Sequence, residues 1–296
     1  MKLSNPIYQS HLNQFKEYLA TLGYSRSAQI NYPMAVAEYL FYLESERISD
    51  FSFSTEQTTK NHFECLSARK NRKKSGALSN VYLNSHLNGL KRFQKYLHSL
   101  HNEYLPLTVE RLLNETPLPL VLTRAEIEQL YQGASQNKKR SFSLRDRTLL
   151  HLCYGCGLRK SECSQLDVED VQEKEKLLHI RKGKGNQERY IPLTESILTE
   201  LQEYIKEARP DFERSHSPKA LLLGNRGGRL ISFYNRLQLL TKQAGLEKNV
   251  HPHTLRHSIA THLMQSGMEV EQIAKFLGHR SLASTQLYMH IVHESV

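Results

Sequence analysis

Between His251 and His290 the chain reads HPHTLRHSIATHLMQSGMEVEQIAKFLGHRSLASTQLYMH, which gathers His253, Arg256, His279 and Tyr288 in one strongly helical stretch. A hydrophobic core does not call for two imidazoles, a fixed cation and a phenol, because each brings polar atoms that must be satisfied when buried. A phosphate site does. Arginine offers a planar fork of donors, histidine moves protons near neutral pH, and tyrosine can serve as an oxygen nucleophile. Alone, the stretch fits a phosphatase or a metal site almost as well. His253 and His257 lie four apart on a helix, a zinc-like spacing, but no HExxH accompanies them and no paired carboxylates join the fifteen histidines.

Two earlier segments sharpen the chemistry. GLRKSE (157–162) puts Arg159 just after a glycine turn and Glu162 three residues on; GKGNQERYIPL (183–193) puts Lys184 in the turn of an expected hairpin. Attack on a phosphodiester concentrates charge on the non-bridging oxygens, where two guanidinium groups stabilise the transition state more than the ground state. Tyrosine ionises near pH 10 and needs a base or cationic surroundings, while a leaving alkoxide needs a proton that a hairpin lysine can deliver. Lys182 and Arg181 compete with Lys184 for that role.

These side chains need elements to hold them. Apolar spacing predicts helices over about 7–22, 27–45, 55–69 and 79–99, the second with Ile30, Met34, Ala37, Leu40 and Phe41 as its apolar face and Pro33 in its first turns. The stretch 101–122 has three prolines and no sustained helical face, and reads as an interdomain linker with a boundary near Glu115. The domains are then 1–115 and 116–296. In the second, Thr123 and Glu126 form a capping box, SLRDRTLLHLCYG is a helix, and a short helix carries Glu162. LLHIRKGKG and ERYIPL are a hairpin, ALLLG is a third strand, and helices follow over about 194–208, 232–243, 254–266, 270–277 and 281–290.

Bulk numbers restrict the class. The 296 residues allow two domains, and 39% hydrophobic with 24% charged residues suits a globular chain. A net charge of +10 favours a polyanionic partner. Nine Lys or Arg (Lys60, Arg69, Lys70, Arg72, Lys73, Lys74, Lys91, Arg92 and Lys95) face one acid, Glu64, between 60 and 95, which points to phosphate contact. Of the four cysteines, Cys65, Cys153, Cys156 and Cys163, the pair Cys153 and Cys156 forms a CxxC inside an apolar run with no second pair, and reads as buried thiols rather than a metal or redox site. No signal peptide or membrane span is visible, so a cytoplasmic setting is expected.

GLRKSE, GKGNQERYIPL, HTLRH (253–257) and LGHRSLASTQLY (277–288), in that order and over about 130 residues, resemble the tyrosine recombinases, or phage-integrase family, and most nearly their Xer-like two-domain members. The resemblance implies a mainly α fold with a small antiparallel sheet: an N-terminal four-helix SAM-like core-binding domain that clamps DNA, and a catalytic domain. It casts Arg159 and Arg256 as the phosphate clamp, Lys184 as the acid for the leaving 5′-oxygen, and His253 as the proton-transfer partner of the nucleophile. His279 becomes the second phosphate-facing position, Tyr288 the nucleophile and Glu162 the supporting acid. It implies strand transfer through a 3′-phosphotyrosine, with no metal, ATP or other cofactor. The partners it implies are double-stranded DNA with paired inverted sites, a homotetramer of two dimers, and accessory DNA-bending proteins. No arm-site-binding domain is expected. The short MHIVHESV after Tyr288, or the helix bearing Tyr288, would have to couple subunits. The rival readings are a type IB topoisomerase-like enzyme, a non-cleaving DNA-binding protein on the same scaffold, and a metal-dependent hydrolase.

Overall fold

The computed structural model describes residues 3–71, 75–113, 119–181, 188–279 and 285. Its backbone divides into two compact units, Met1–Thr116 and Pro117–Val296. Among the described residues no helix is long and apolar enough to cross a membrane.

The first unit is built from α1 (Pro6–Thr21), α2 (Arg26–Ser45), α3 (Glu56–Ala68) and α4 (Asn80–His101). Each begins where the sequence supplies a cap. The side chains of Asn5, Ser25, Thr55 and Ser79 accept from backbone N–H groups of the first turn, which otherwise lack partners. Asn102, in the left-handed region at φ 52°, stops α4. Phe15, Leu19, Val36, Tyr39, Leu40, Leu43, Leu90, Phe93 and Leu97 form the core. Each such side chain contributes roughly 1.5–3 kcal/mol on burial.

One expectation fails in α2. Pro33, in the second turn as expected, leaves the carbonyl one turn earlier without its usual donor. The buried face is Pro33, Ala35, Val36, Tyr39, Leu40 and Leu43, whereas Ile30, Met34 and Phe41 are exposed. Both stripes have helical spacing, and packing against α1 and α4 selects between them.

The segment read as linker also behaves differently over its first half. Leu105 is fully buried, Thr59 donates to the Pro106 carbonyl (2.6 Å), and Asn84 exchanges hydrogen bonds with the Leu112 backbone in both directions (2.9 Å each). Residues 103–113 thus pack onto the first unit as extended chain.

The second unit contains α5 (Arg124–Ser135), α6 (Arg140–Leu150) with a π-helical continuation over His151–Gly155, and α7 (Lys160–Gln165). Strands β1 (Val171–Gln172), β2 (Leu177–Ile180) and β3 (Arg189–Pro192) follow, then α8 (Glu195–Glu203), α9 (Arg209–Phe212), α10 (Phe233–Gln243), α11 (Pro252–Gln265) and α12 (Val270–Leu277). The sheet is antiparallel in the order β1-β2-β3, with Val171 opposite Leu178 and Ile180 opposite Arg189. The expected hairpin is therefore β2–β3. The third strand is β1 and not ALLLG: Ala220 and Leu223 make only isolated bridges, to Asp167 and Arg229. Leu221, Leu222 and Leu223 are nonetheless buried, so that apolar run signalled burial and not conformation. Cys153, Cys156 and Cys163 are buried in this core, with Cys153 and Cys163 sulfurs 3.8 Å apart, and Cys65 is exposed.

Candidate active site

The site is assembled where α7, α11 and the end of α12 meet. Gly157 turns the chain after the π-helical segment with φ 58°, a conformation that a side chain would strain. There is also no room, because a Cβ there would lie 2.6 Å from Leu277 Cδ2. The chain then runs extended through Leu158, which is fully buried, to Arg159 at the N-cap of α7. The Glu162 carboxylate reaches back to this cap: Oε2 accepts from the Arg159 backbone N–H (2.9 Å) and Oε1 from Arg159 Nη1 (2.9 Å). The GLRKSE spacing is thus a helix-start device that also aims a guanidinium.

Pro252 at the start of α11 fixes that helix's first turn, and His253 and Arg256, three apart, share one side of it. Arg256 is 4% exposed. It donates through Nη1 to the Gly157 carbonyl (2.5 Å) and through Nη2 to the Leu277 carbonyl (2.7 Å). Arg159 Nη2 donates to the next carbonyl, Gly278 (2.9 Å). Two guanidiniums therefore end on consecutive carbonyls at the close of α12, immediately before His279. Gly278, at φ 66°, terminates α12 in the left-handed conformation and exposes those carbonyls, which lack helical partners.

Both imidazoles lie in this cationic field. Burial, then Arg256, Arg159 and His251, hold His253 below its usual value. Burial, then Arg256 and Arg159, push His279 down to about 4. His279 Nδ1 lies 2.7 Å from Thr285 Oγ1. Both rings are accordingly neutral at pH 7. His257 is held to about 4 by burial and by its neighbours His253 and Arg256, and its ring packs 6.4 Å from that of His253. Burial pushes the Glu162 carboxyl up, but the hydrogen bonds and charges of Arg189 and Arg159 outweigh this and hold it below the usual carboxylate range.

Arg159, Glu162, His253, Arg256 and His279 thus come together. Lys184 and Tyr288 lie outside the described residues, as do Arg72, Lys73 and Lys74 of the basic run. Of the rest, Lys60, Arg69, Lys70, Lys91, Arg92 and Lys95 are exposed. Arg69 is engaged by Glu38 and by the Tyr82 hydroxyl (3.4 Å). Lys91 and Arg92 line a groove with Tyr32 and Asn88 where α2 and α4 pack. Among the described residues no group of three His, Cys, Asp or Glu side chains is arranged to hold a metal.

Arg189 was not singled out from the sequence. Its Nη1 and Nη2 donate to Glu162 Oε1 and Oε2 (3.0 Å each), and its Nε donates to the Phe276 carbonyl (3.3 Å). The available signal was strand alternation, since Arg189 shares a face with the buried Ile191 while Tyr190 points outward. An arginine on the inner face of a strand needs a buried acid.

Comparison with known proteins adds the following. Residues 121–294 match the phage integrase family. The tyrosine recombinase XerD of Staphylococcus epidermidis is 33% identical over 300 residues, spanning 97% of this chain and 94% of that protein. XerD of Pseudomonas aeruginosa is 35% identical over 209 residues, 69% of each chain. The fold is also that of the XerH site-specific recombinase bound to its difH substrate, with a TM-score of 0.75 at 19% identity over 100% of this chain and 97% of that one.

Proposed function

The chain belongs to the phage integrase family, as a Xer-like tyrosine recombinase acting in site-specific DNA recombination, and we propose that Tyr288 is its nucleophile and Arg159 and Arg256 its phosphate clamp. The observation that supports this most is the convergence of the two guanidiniums on the Leu277 and Gly278 carbonyls beside His279. Held in this way, their planar forks can meet a scissile phosphate with no reorganisation, so they act on charge as it develops.

In this reading the Tyr288 oxygen attacks phosphorus. His253, kept neutral by its surroundings, takes the phenol proton, and the 5′-oxygen leaves with a proton from Lys184. A 3′-phosphotyrosine retains the energy of the broken phosphodiester. A 5′-hydroxyl from another strand then reverses the step, which makes cleavage and rejoining one reaction run in two directions. His279 donates a hydrogen bond to the phosphate, with Thr285 orienting its ring. The first unit clamps the duplex through the nine cations Lys60, Arg69, Lys70, Arg72, Lys73, Lys74, Lys91, Arg92 and Lys95. Copies assemble as a tetramer on paired inverted sites; the tetramer of the structurally similar lambda integrase on a Holliday junction is in line with this.

The test uses a duplex enriched from random sequence by binding to this protein, nicked so that the cleaved end is lost. Wild type should accumulate a covalent protein–DNA adduct, and Tyr288→Phe none. An adduct formed by Tyr288→Phe at the wild-type rate would overturn the assignment.

A further inference from the structure

Arg159 carries a difficulty. Its nearest ionised neighbour is Glu162, which is 2% exposed and bonded to it twice. A buried carboxylate facing a single guanidinium would cancel most of the charge that the guanidinium could offer to a phosphate. The geometry around Arg189 resolves this. Its two terminal nitrogens meet both oxygens of the same carboxylate, side by side, in the paired geometry that binds most strongly. Oε1 thus receives one bond from each arginine, and Oε2 one from the Arg159 backbone and one from Arg189. Arg159 and Arg189 are thus two cations on one carboxylate, so the Glu162 charge does not fall on Arg159 alone.

We propose that Arg189 is a positioning residue for the phosphate clamp: it neutralises and orients Glu162, so that Glu162 can aim Arg159 without quenching it. The contacts of Arg189 also suit it to tie the parts of the site together. It stands on β3, five residues after Lys184 in the sequence. It binds Glu162 on α7, and its Nε donates to the Phe276 carbonyl near the end of α12. Gly278 lies against it so closely that a Cβ there would be 2.8 Å from Nη1. Its guanidinium therefore links β3, the helix that starts after Arg159, and the end of α12 just before His279. Lysine at 189 would retain the charge and lose the two-pronged contact. Methionine would lose both and leave the Glu162 charge to Arg159 alone.

This inference rests on the assignment of Arg159 to the phosphate, and its test separates the two. The full-length protein is assayed for single-turnover adduct formation on the nicked duplex described above. The same duplex is also prepared with one non-bridging oxygen of the scissile phosphate replaced by methyl, which removes the charge that the clamp must meet. Arg159→Ala serves as the reference, with Arg189→Lys and Arg189→Met as the probes and duplex binding measured in parallel. On the ordinary phosphate, Arg189→Lys should lose about tenfold and Arg189→Met about a hundredfold in rate, with binding within about twofold of wild type. On the methyl-substituted duplex all three variants should fall within about threefold of wild type.

If Arg159→Ala cleaves the ordinary phosphate at the wild-type rate, the clamp assignment itself is wrong. If Arg159→Ala behaves as expected while both Arg189 variants cleave normally, or if their loss persists on the neutral phosphate, Arg189 does not position the clamp. Should either probe fail to fold, the pair Glu162→Leu with Arg189→Met replaces the buried ions with apolar side chains, a change that folds often tolerate. That double variant should fold and still lose the rate on the ordinary phosphate; wild-type cleavage by it would also sink the proposal.

Discussion

Arg256→Lys separates the charge at the clamp from its geometry. The arginine donates through two different nitrogens to carbonyls of Gly157 and Leu277, which lie 120 residues apart in the chain but adjacent in the fold. A lysine ammonium can reach one of them and leaves the other buried carbonyl unpaired, a loss of about 1–3 kcal/mol in stability. For a unit of this size the melting temperature falls by about 2–4 °C per kcal/mol. The catalytic loss should be larger, about 3 kcal/mol or a hundredfold or more in rate, because the planar fork aimed at the phosphate is gone. His253 and His279 are both held down in part by the charge of Arg256, which lysine keeps, so neither ring gains a proton at pH 7. The rate change then reports geometry. Single-turnover adduct formation, duplex affinity and thermal unfolding are measured on the same preparation. A rate within threefold of wild type in a folded protein would refute the reasoning, as would a rate loss wholly matched by weaker duplex binding.

The exposed cations of α4 predict a salt effect. Replacing Lys91, Arg92 and Lys95 by alanine should flatten the plot of log binding constant against log salt by about 0.9 for each phosphate no longer neutralised, or nearly 3 in all; an unchanged slope would remove them from the interface. A second prediction concerns acid. His62 and His86, 2% and 3% exposed, face each other with their Nε2 atoms 3.2 Å apart. Burial holds them to about 3 and about 4; the charges of His86 and Arg69 add to this at His62, whereas at His86 the Glu38 carboxylate opposes it and Arg69 adds to it. Unfolded, both take protons below their usual value of 6.5, while the folded rings resist, so stability present above pH 6.5 is lost as the pH falls towards 4. At pH 5 the two together should cost about 4 kcal/mol. Urea unfolding at pH 7.5 and pH 5.0 should show a smaller drop for His62→Phe with His86→Phe than for wild type, and an equal drop would contradict this.

What could be read from the chain alone follows the range of the interaction. GLRKSE was legible because its turn, cap and guanidinium all act within six residues, and HTLRH because a helix fixes which side chains share a face. The capping box at Thr123 is local for the same reason. The outer stripe of α2 was misread because Ile30, Met34 and Phe41 repeat with the same period as the stripe that is buried. Only packing against α1 and α4 distinguishes them. ALLLG was misread because a short apolar run is equally consistent with strand and with buried irregular chain. The bond from Arg189 to Glu162 joins positions 27 apart through a hairpin, and no local rule pairs them.

The partners of the arginines separate clamp from scaffold in the second unit. Arg147 meets Glu200, Arg229 meets Asp167, Arg181 meets Asp167 and Asp170, and Arg236 meets Asp146. In each, a carboxylate cancels the charge, which suits an arginine that only fastens one segment to another. Arg256 donates to two backbone carbonyls, which accept hydrogen bonds without adding a negative charge of their own. Arg159 has one carboxylate, but that carboxylate is shared with Arg189. A site that must attract phosphate has to bury cations without neutralising them. Carbonyls freed at the end of a helix are acceptors that fit the proposed clamp, and α12 stops at Gly278, one residue before His279.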